Sequence, residues 1–206
     1  MSDELQYYRN LATTMWKTRG ARFGASASLS FKDRFGIGTA AFLSIYMIAW
    51  SVASLAFPEF FNSTRGRIFN IVSIVSSVAL LAITLMEFAF GRSVKAQILH
   101  QNALSISGLM RELEMELAAA TPDVEKLKAL ASSYERLNFE TQINHTTQDY
   151  KRWQYSVAST DDWMRRPLFS LRYHAYRVWL FCSSMFIYIA LCALVIGVTI
   201  WCAIGL

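Results

Sequence analysis

Glu87 closes an apolar run that carries no charge from residue 68 to residue 86. At helical spacing Asn70, Ser73, Ser77 and Thr84 fall close to the face that holds Glu87, while Ile71, Val75, Val78, Ala82 and Leu85 cover much of the rest. In an earlier apolar run Ser44, Ser51 and Ser54 are the polar members. A carboxylate buried alone in hydrocarbon is costly or takes up a proton. Glu87 must therefore meet water, reach the headgroup layer or find a cation, and Arg92 and Lys95 follow it closely. Two kinds of chemistry fit. A ring of copies, each giving one helix, would line a polar conduit from Asn70, Ser73, Ser77, Thr84, Ser44 and Ser51, with an acidic, cation-favouring mouth at Glu87. Alternatively, the hydroxyls bond their own backbone and allow close helix packing.

No catalytic or metal-binding arrangement is legible. Asp161 and Asp162 beside Thr160 read as a helix cap, and His100, His145 and His174 have no ligand partner at useful spacing. No glycine-rich phosphate loop is present, so no enzyme activity, cofactor or metal is expected. Cys182, Cys192 and Cys202 all lie in the last apolar run, at different depths, and read as small apolar fillers rather than a disulfide framework.

The elements that would position these groups are set by charge-free runs. Residues 36–57, 68–86 and 178–206 contain no charged side chain, in a chain that is 54% hydrophobic and 17% charged. At ~1.5 Å per residue each run is long enough to cross a hydrocarbon core of ~30 Å. The expected fold is an all-α membrane protein. A transmembrane hairpin (residues 36–91, spans about 36–57 and 68–89) extends into a cytoplasmic helical hairpin (92–154). An interfacial connector (155–177) then leads to a third transmembrane helix (178–206). The link from Pro58 to Arg67 is short enough to force the first two spans antiparallel.

Charge asymmetry orients the spans. Arg19, Arg22, Lys32 and Arg34 precede the first span. Arg92 and Lys95 follow the second, and Arg165, Arg166, Arg172 and Arg177 precede the third. The link offers Arg65 and Arg67. The N-terminus and residues 92–177 are therefore expected in the cytoplasm and the C-terminus outside. The basic residues before position 36 also argue against a cleavable signal peptide.

Residues 1–35 are expected to hold a basic amphipathic helix marked by Leu5, Tyr8, Leu11, Met15 and Phe23. It would lie along the membrane face or against the chain's own cytoplasmic hairpin. The small-residue stretch Gly20 to Ser28 permits close packing, or is loose. With no proline between Arg92 and Pro122, the second span should run on as one long helix, with Leu99, Ala103, Ile106, Met110, Leu113 and Leu117 along one face. Thr121 is the expected cap of the next helix, with Pro122 at its first position and Val124, Leu127, Ala131, Tyr134, Leu137 and Thr141 as its apolar stripe. The two stripes would zip together, or bury against neighbouring subunits.

Three stretches carry a family resemblance. They are Leu11 to Phe23 (LATTMWKTRGARF), the span–link–span unit with its very short link, and Ile143 to Trp153 (INHTTQDYKRW). In these the chain resembles the SLATT proteins, two-span effectors of prokaryotic conflict systems. It is most similar to their fifth family, which occurs beside reverse transcriptases and nucleotidyltransferase-type sensors. The resemblance covers about residues 5 to 155 and leaves a third span outside the two-span core. It implies a homo-oligomeric effector of the prokaryotic inner membrane. Once triggered by a sensor protein, a nucleotide messenger or a nucleic-acid-linked signal, such an effector permeabilises the membrane in antiviral defence and arrests or kills the cell. It also implies that Trp16, Arg19, Arg22, Asn144, His145, Asp149 and Tyr150 form a signal-responsive contact. Their plain physical roles are headgroup arginines, an aspartate held by a nearby base, and Tyr150 and Trp153 as interface anchors. A non-conducting membrane anchor whose cytoplasmic hairpin recruits a partner is the alternative function.

Overall fold

The computed structural model describes residues 2–141, 143, 146, 147, 149–151, 153, 154, 157 and 167–204. They form α1 (Ser2–Ala56), α2 (Pro58–Asn62), α3 (Thr64–Phe90), α4 (Arg92–Leu117), α5 (Val124–Glu140) and α6 (Pro167–Ile204). The protein is all-α. The chain divides into two compact units, one of Met1–Ser30 with Ser93–Ser170 and one of Phe31–Arg92 with Leu171–Leu206.

In the first unit the N-terminal part of α1 packs with α4 and α5 around Tyr8, Met15, Ile106, Met110, Leu113, Leu127, Leu130, Ala131 and Tyr134. The apolar stripes read along α4 and α5 thus close within one chain, and the N-terminal helix supplies the third wall. Asp123, not Thr121, caps α5. Its carboxylate accepts from the N–H groups of Glu125 (3.0 Å) and Lys126 (3.3 Å). An aspartate held here satisfies two otherwise unpaired amides at the positive end of the helix.

The stretch Gly20 to Ser28 is not loose, because it lies inside α1, one helix of 55 residues. Ala21, Arg22, Ala25 and Ser26 are buried, and the Ser26 hydroxyl donates to the carbonyl of Ala96 at 2.8 Å. Small side chains let the two backbones approach, and that contact holds the helix through a region of poor propensity.

In the second unit the buried and half-buried positions repeat with a coiled-coil period. On α1 they are Gly36, Thr39, Ala40, Leu43, Tyr46, Met47, Trp50 and Ala53. On α3 they are Phe69, Val72, Ser73, Ser76, Ala79, Leu80, Ile83 and Glu87, and on α6 Met185, Tyr188, Cys192, Val195 and Thr199. A repeat alternating three and four residues keeps one face of each helix on its neighbours. The α1–α3 link is not a plain loop. Pro58 opens the short α2, and Ser63 caps α3 by accepting from the Gly66 N–H at 3.2 Å. A Cβ on Gly66 would sit 2.3 Å from the Phe60 carbonyl, so the tight turn needs glycine.

The second span does not pass into α4 as one uninterrupted helix. Gly91 adopts φ 56°, ψ 39° and ends α3. A left-handed glycine breaks a helix as surely as a proline does, and at a low cost that only this residue type enjoys.

Two stretches, Asp3–Ala56 and Thr64–Leu117, are long and apolar enough to cross a membrane. Only 6% and 11% of their most apolar windows is buried within the chain, so neither is the core helix of a water-soluble fold. The described apolar part of α6, Met185–Trp201, is shorter.

Candidate functional site

The polar residues of the spans separate onto two faces. Asn70, Ser77 and Thr84, each seven residues from the next, are exposed on the side of α3 away from its packed seam. Ser44 and Ser51 are likewise exposed on α1. Ser73 and Glu87 fall on the packed side of α3. The single stripe read from the sequence is therefore divided. Seven residues turn an α-helix by ~20° short of two full turns, so Asn70, Ser77 and Thr84 stay aligned, whereas Ser73 and Glu87 lie off to the side.

The hydroxyls meet their own backbone. Ser44 donates to the carbonyl of Ala40 (2.8 Å), Ser51 to that of Met47 (3.0 Å), Ser77 to that of Ser73 (2.8 Å) and Thr84 to that of Leu80 (2.8 Å). Such bonds satisfy the donor while leaving the oxygen free to accept from water or another chain. Ser76, missing from the sequence reading, is the buried polar member of the seam, and its hydroxyl has no hydrogen-bond partner among the described residues.

Glu87 is paired. Arg92 Nη1 lies 2.7 Å from one carboxylate oxygen and 2.8 Å from the other, and both side chains are largely withdrawn from solvent. The pair spans the break at Gly91. Beside it stands Tyr188 of α6, whose buried hydroxyl lies close to the pair. Gly36 leaves room for this group. A Cβ there would come within 3.3 Å of the Tyr188 hydroxyl and 3.7 Å of the Glu87 carboxyl carbon. The acid that ends the second span is thus neutralised by a cation within one chain and walled by α1 and α6.

The residues flagged as signal-responsive divide as well. Asn144 and His145 lie outside the described residues. Trp16 meets Trp153 edge-on, with ring centroids 4.7 Å apart, and Tyr150 lies 5.7 Å from the same indole. Gly20 makes this possible, because a Cβ on it would fall 1.9 Å from Trp153 Nε1. Trp153 is therefore a packing residue on α1, not a free interface anchor. Among the described residues no base pairs with Asp149. Its carboxylate accepts from the Thr146 N–H (3.0 Å) and hydroxyl (2.6 Å), while Thr146 Oγ1 accepts from the Asp149 N–H (3.2 Å). This is a reciprocal helix cap. Arg19 is half-buried.

Arg22 is no headgroup arginine. It is 3% exposed, donates from Nη1 to the Asn102 side-chain oxygen and leaves Nε without a partner among the described residues. No carboxylate faces it among the described residues, and burial pushes its guanidinium below the ordinary value. Asn102 in turn donates to Thr141 Oγ1 and to the carbonyl of Leu137 (3.4 Å). The sequence holds a signal for this hub, since Asn102 interrupts the apolar face of α4 between Leu99 and Ile106.

Among the described residues no group of three or more His, Cys, Asp or Glu side chains could hold a metal. His100 instead packs against Phe23 with ring centroids 5.3 Å apart.

The sequence model of the SMODS and SLOG-associating 2TM effector domain family 5 matches residues 4–201. The match runs through α6, so the likeness does not end near residue 155 as the motifs alone implied. No curated protein matches the chain. No solved structure matches it either.

Proposed function

The chain belongs to the SMODS and SLOG-associating 2TM effector domain family 5, and on that premise we propose that it is an oligomeric, gated pore of the prokaryotic inner membrane. Opening it would arrest or kill the cell in answer to a defence signal. The observation that carries this reading is the stripe of Asn70, Ser77 and Thr84, which is polar, aligned and exposed on a helix made for lipid. Facing hydrocarbon, the Asn70 carboxamide would cost several hydrogen bonds. Facing copies of itself around an axis, the stripe meets water or partners.

The same proposal includes topology. The N-terminus and residues 92–177 lie in the cytoplasm, and α6 is a third span ending outside. Support comes from the register of α6 along α1. Tyr188 stands by Gly36, and the Tyr46 and Thr199 hydroxyls are hydrogen-bonded. Trp201 receives the Arg65 guanidinium at 5.7 Å. Contacts thus continue from the Glu87 end of the spans to the link end, which is what a helix crossing beside α1 requires.

Liposome efflux tests the pore. Protein reconstituted under the conditions that arrest growth should release trapped ions, and retention under those same conditions overturns the reading. A second reading, a non-conducting anchor whose cytoplasmic hairpin recruits a partner, draws on the Glu87–Arg92 pair and the self-satisfied hydroxyls, which leave the spans electrically quiet. In that case arrest persists when the stripe is made apolar.

A further inference from the structure

The second unit carries a groove of about 340 Å³, lined by Arg34, Phe35, Gly38, Thr39 and Phe42 of α1 and by Cys192 of α6. The volume falls at the lower end of small-molecule sites. Its composition changes along α1. Arg34 is the last cation before the charge-free run that begins at Gly36. It is exposed and has no ion-pair partner among the described residues. One turn on, Gly38 lines the trough, and the space over it is open, since a Cβ there would meet nothing within 4 Å. Phe35 and Phe42 form the apolar walls.

A cation at one end and an aromatic-walled apolar trough at the other match one class of molecule. We propose that this groove is a binding site for a single anionic phospholipid, with the lipid phosphate on the Arg34 guanidinium and the upper acyl chain laid over Gly38 against Phe42. Arginine suits phosphate because its fork donates more than one hydrogen bond to the oxyanion. Arg34 also stands where a headgroup belongs, at the edge of the charge-free run. Cys192 brings α6 to the lining of the site, so the bound lipid would touch both α1 and α6. This inference goes beyond the pore reading and holds equally for a non-conducting anchor.

Native mass spectrometry of the full chain in a delipidating detergent, with phosphatidylglycerol or phosphatidylcholine added, tests it. Circular dichroism checks that each variant is folded. Gly38→Leu places an apolar side chain in the groove at a position where a Cβ meets no neighbour within 4 Å, and Arg34→Gln removes the charge. The wild-type chain should retain about one phosphatidylglycerol per chain and little phosphatidylcholine, and each variant should lose that lipid at least tenfold. Several results overturn the site. One is that both variants retain lipid as the wild type does, and another is that the wild-type chain holds both lipids equally or holds neither. Loss only in Arg34→Gln indicates diffuse surface attraction, and loss only in Gly38→Leu an apolar crevice with no headgroup recognition; either outcome also rejects the proposal.

Discussion

Arg22 of α1 donates to Asn102 of α4, eighty residues away, inside a unit where no described carboxylate faces the guanidinium. A buried cation without an acid is held by dipoles alone, so each dipole matters. Asn102→Ala should cost about 2–3 kcal/mol, because it strips a charge-assisted bond and leaves the cation stranded. Arg22→Met should cost less, or stabilise, since the charge itself is removed. Thermal or denaturant unfolding of the purified chain measures both. If Arg22→Met is the more damaging of the two, the guanidinium has a counter-ion outside the described residues.

Gly20 and Trp153 define a second contact that admits no side chain between them. Gly20→Ala should push the indole off α1, at a cost of about 1–3 kcal/mol for overpacking. The change should red-shift Trp153 emission as the ring leaves its edge-on contact with Trp16. Adding Trp153→Ala to Gly20→Ala should recover much of the loss. A Gly20→Ala chain with unchanged emission and stability would show that the indole does not rest on Gly20.

The first two membrane-length helices were legible because hydrophobic runs free of charge are a property of composition alone, as at residues 36–57. The apolar stripes of α4 and α5 were legible for a similar reason, their 3.6-residue period. What escaped was whatever depends on one glycine or on a partner far along the chain. Gly91 looks ordinary in sequence, yet its positive φ ends α3. Arg22 read as a headgroup arginine because charge counting ignores the helix that covers it. The aligned hydroxyls of α3 were found, but a 3.6-residue count merged Ser73 and Glu87 with Asn70, Ser77 and Thr84. The 3.5-residue seam against α1 and α6 is what separates them.

Acid should loosen the turn between α4 and α5. The Glu116 carboxyl is held below its ordinary value, first by the hydrogen bond from Lys126 and then by the Asp123 N–H. A depressed carboxylate stabilises the fold fully above its unfolded value, near pH ~4.3, and loses that effect as pH falls through the folded value. Lys126, raised by the same pair, contributes below its unfolded value and stops contributing as pH rises through its folded one. Melting curves between pH ~7 and ~3 should therefore fall more steeply for the wild-type chain than for Glu116→Gln. Parallel curves would mean that the pair contributes nothing measurable in solution.

Glu87 and Arg92 give the sharpest separation between a conduit and an anchor. The pair neutralises the one carboxylate at the end of the second span, and it does so across the Gly91 break. Arg92→Gln leaves that carboxylate alone beside the buried Tyr188, which should destabilise the chain by about 1–3 kcal/mol. If Glu87 borders a conduit, the same variant should also raise cation over anion flux, because an unscreened acidic ring now faces the ions. Glu87→Gln should lower that ratio, and the double variant should follow Glu87→Gln, since without the acid the loss of Arg92 changes no field. Reversal potentials in asymmetric salt read all three. If the three variants share the wild-type ratio while Arg92→Gln alone loses stability, the pair is a structural clasp and the conduit is lined without Glu87.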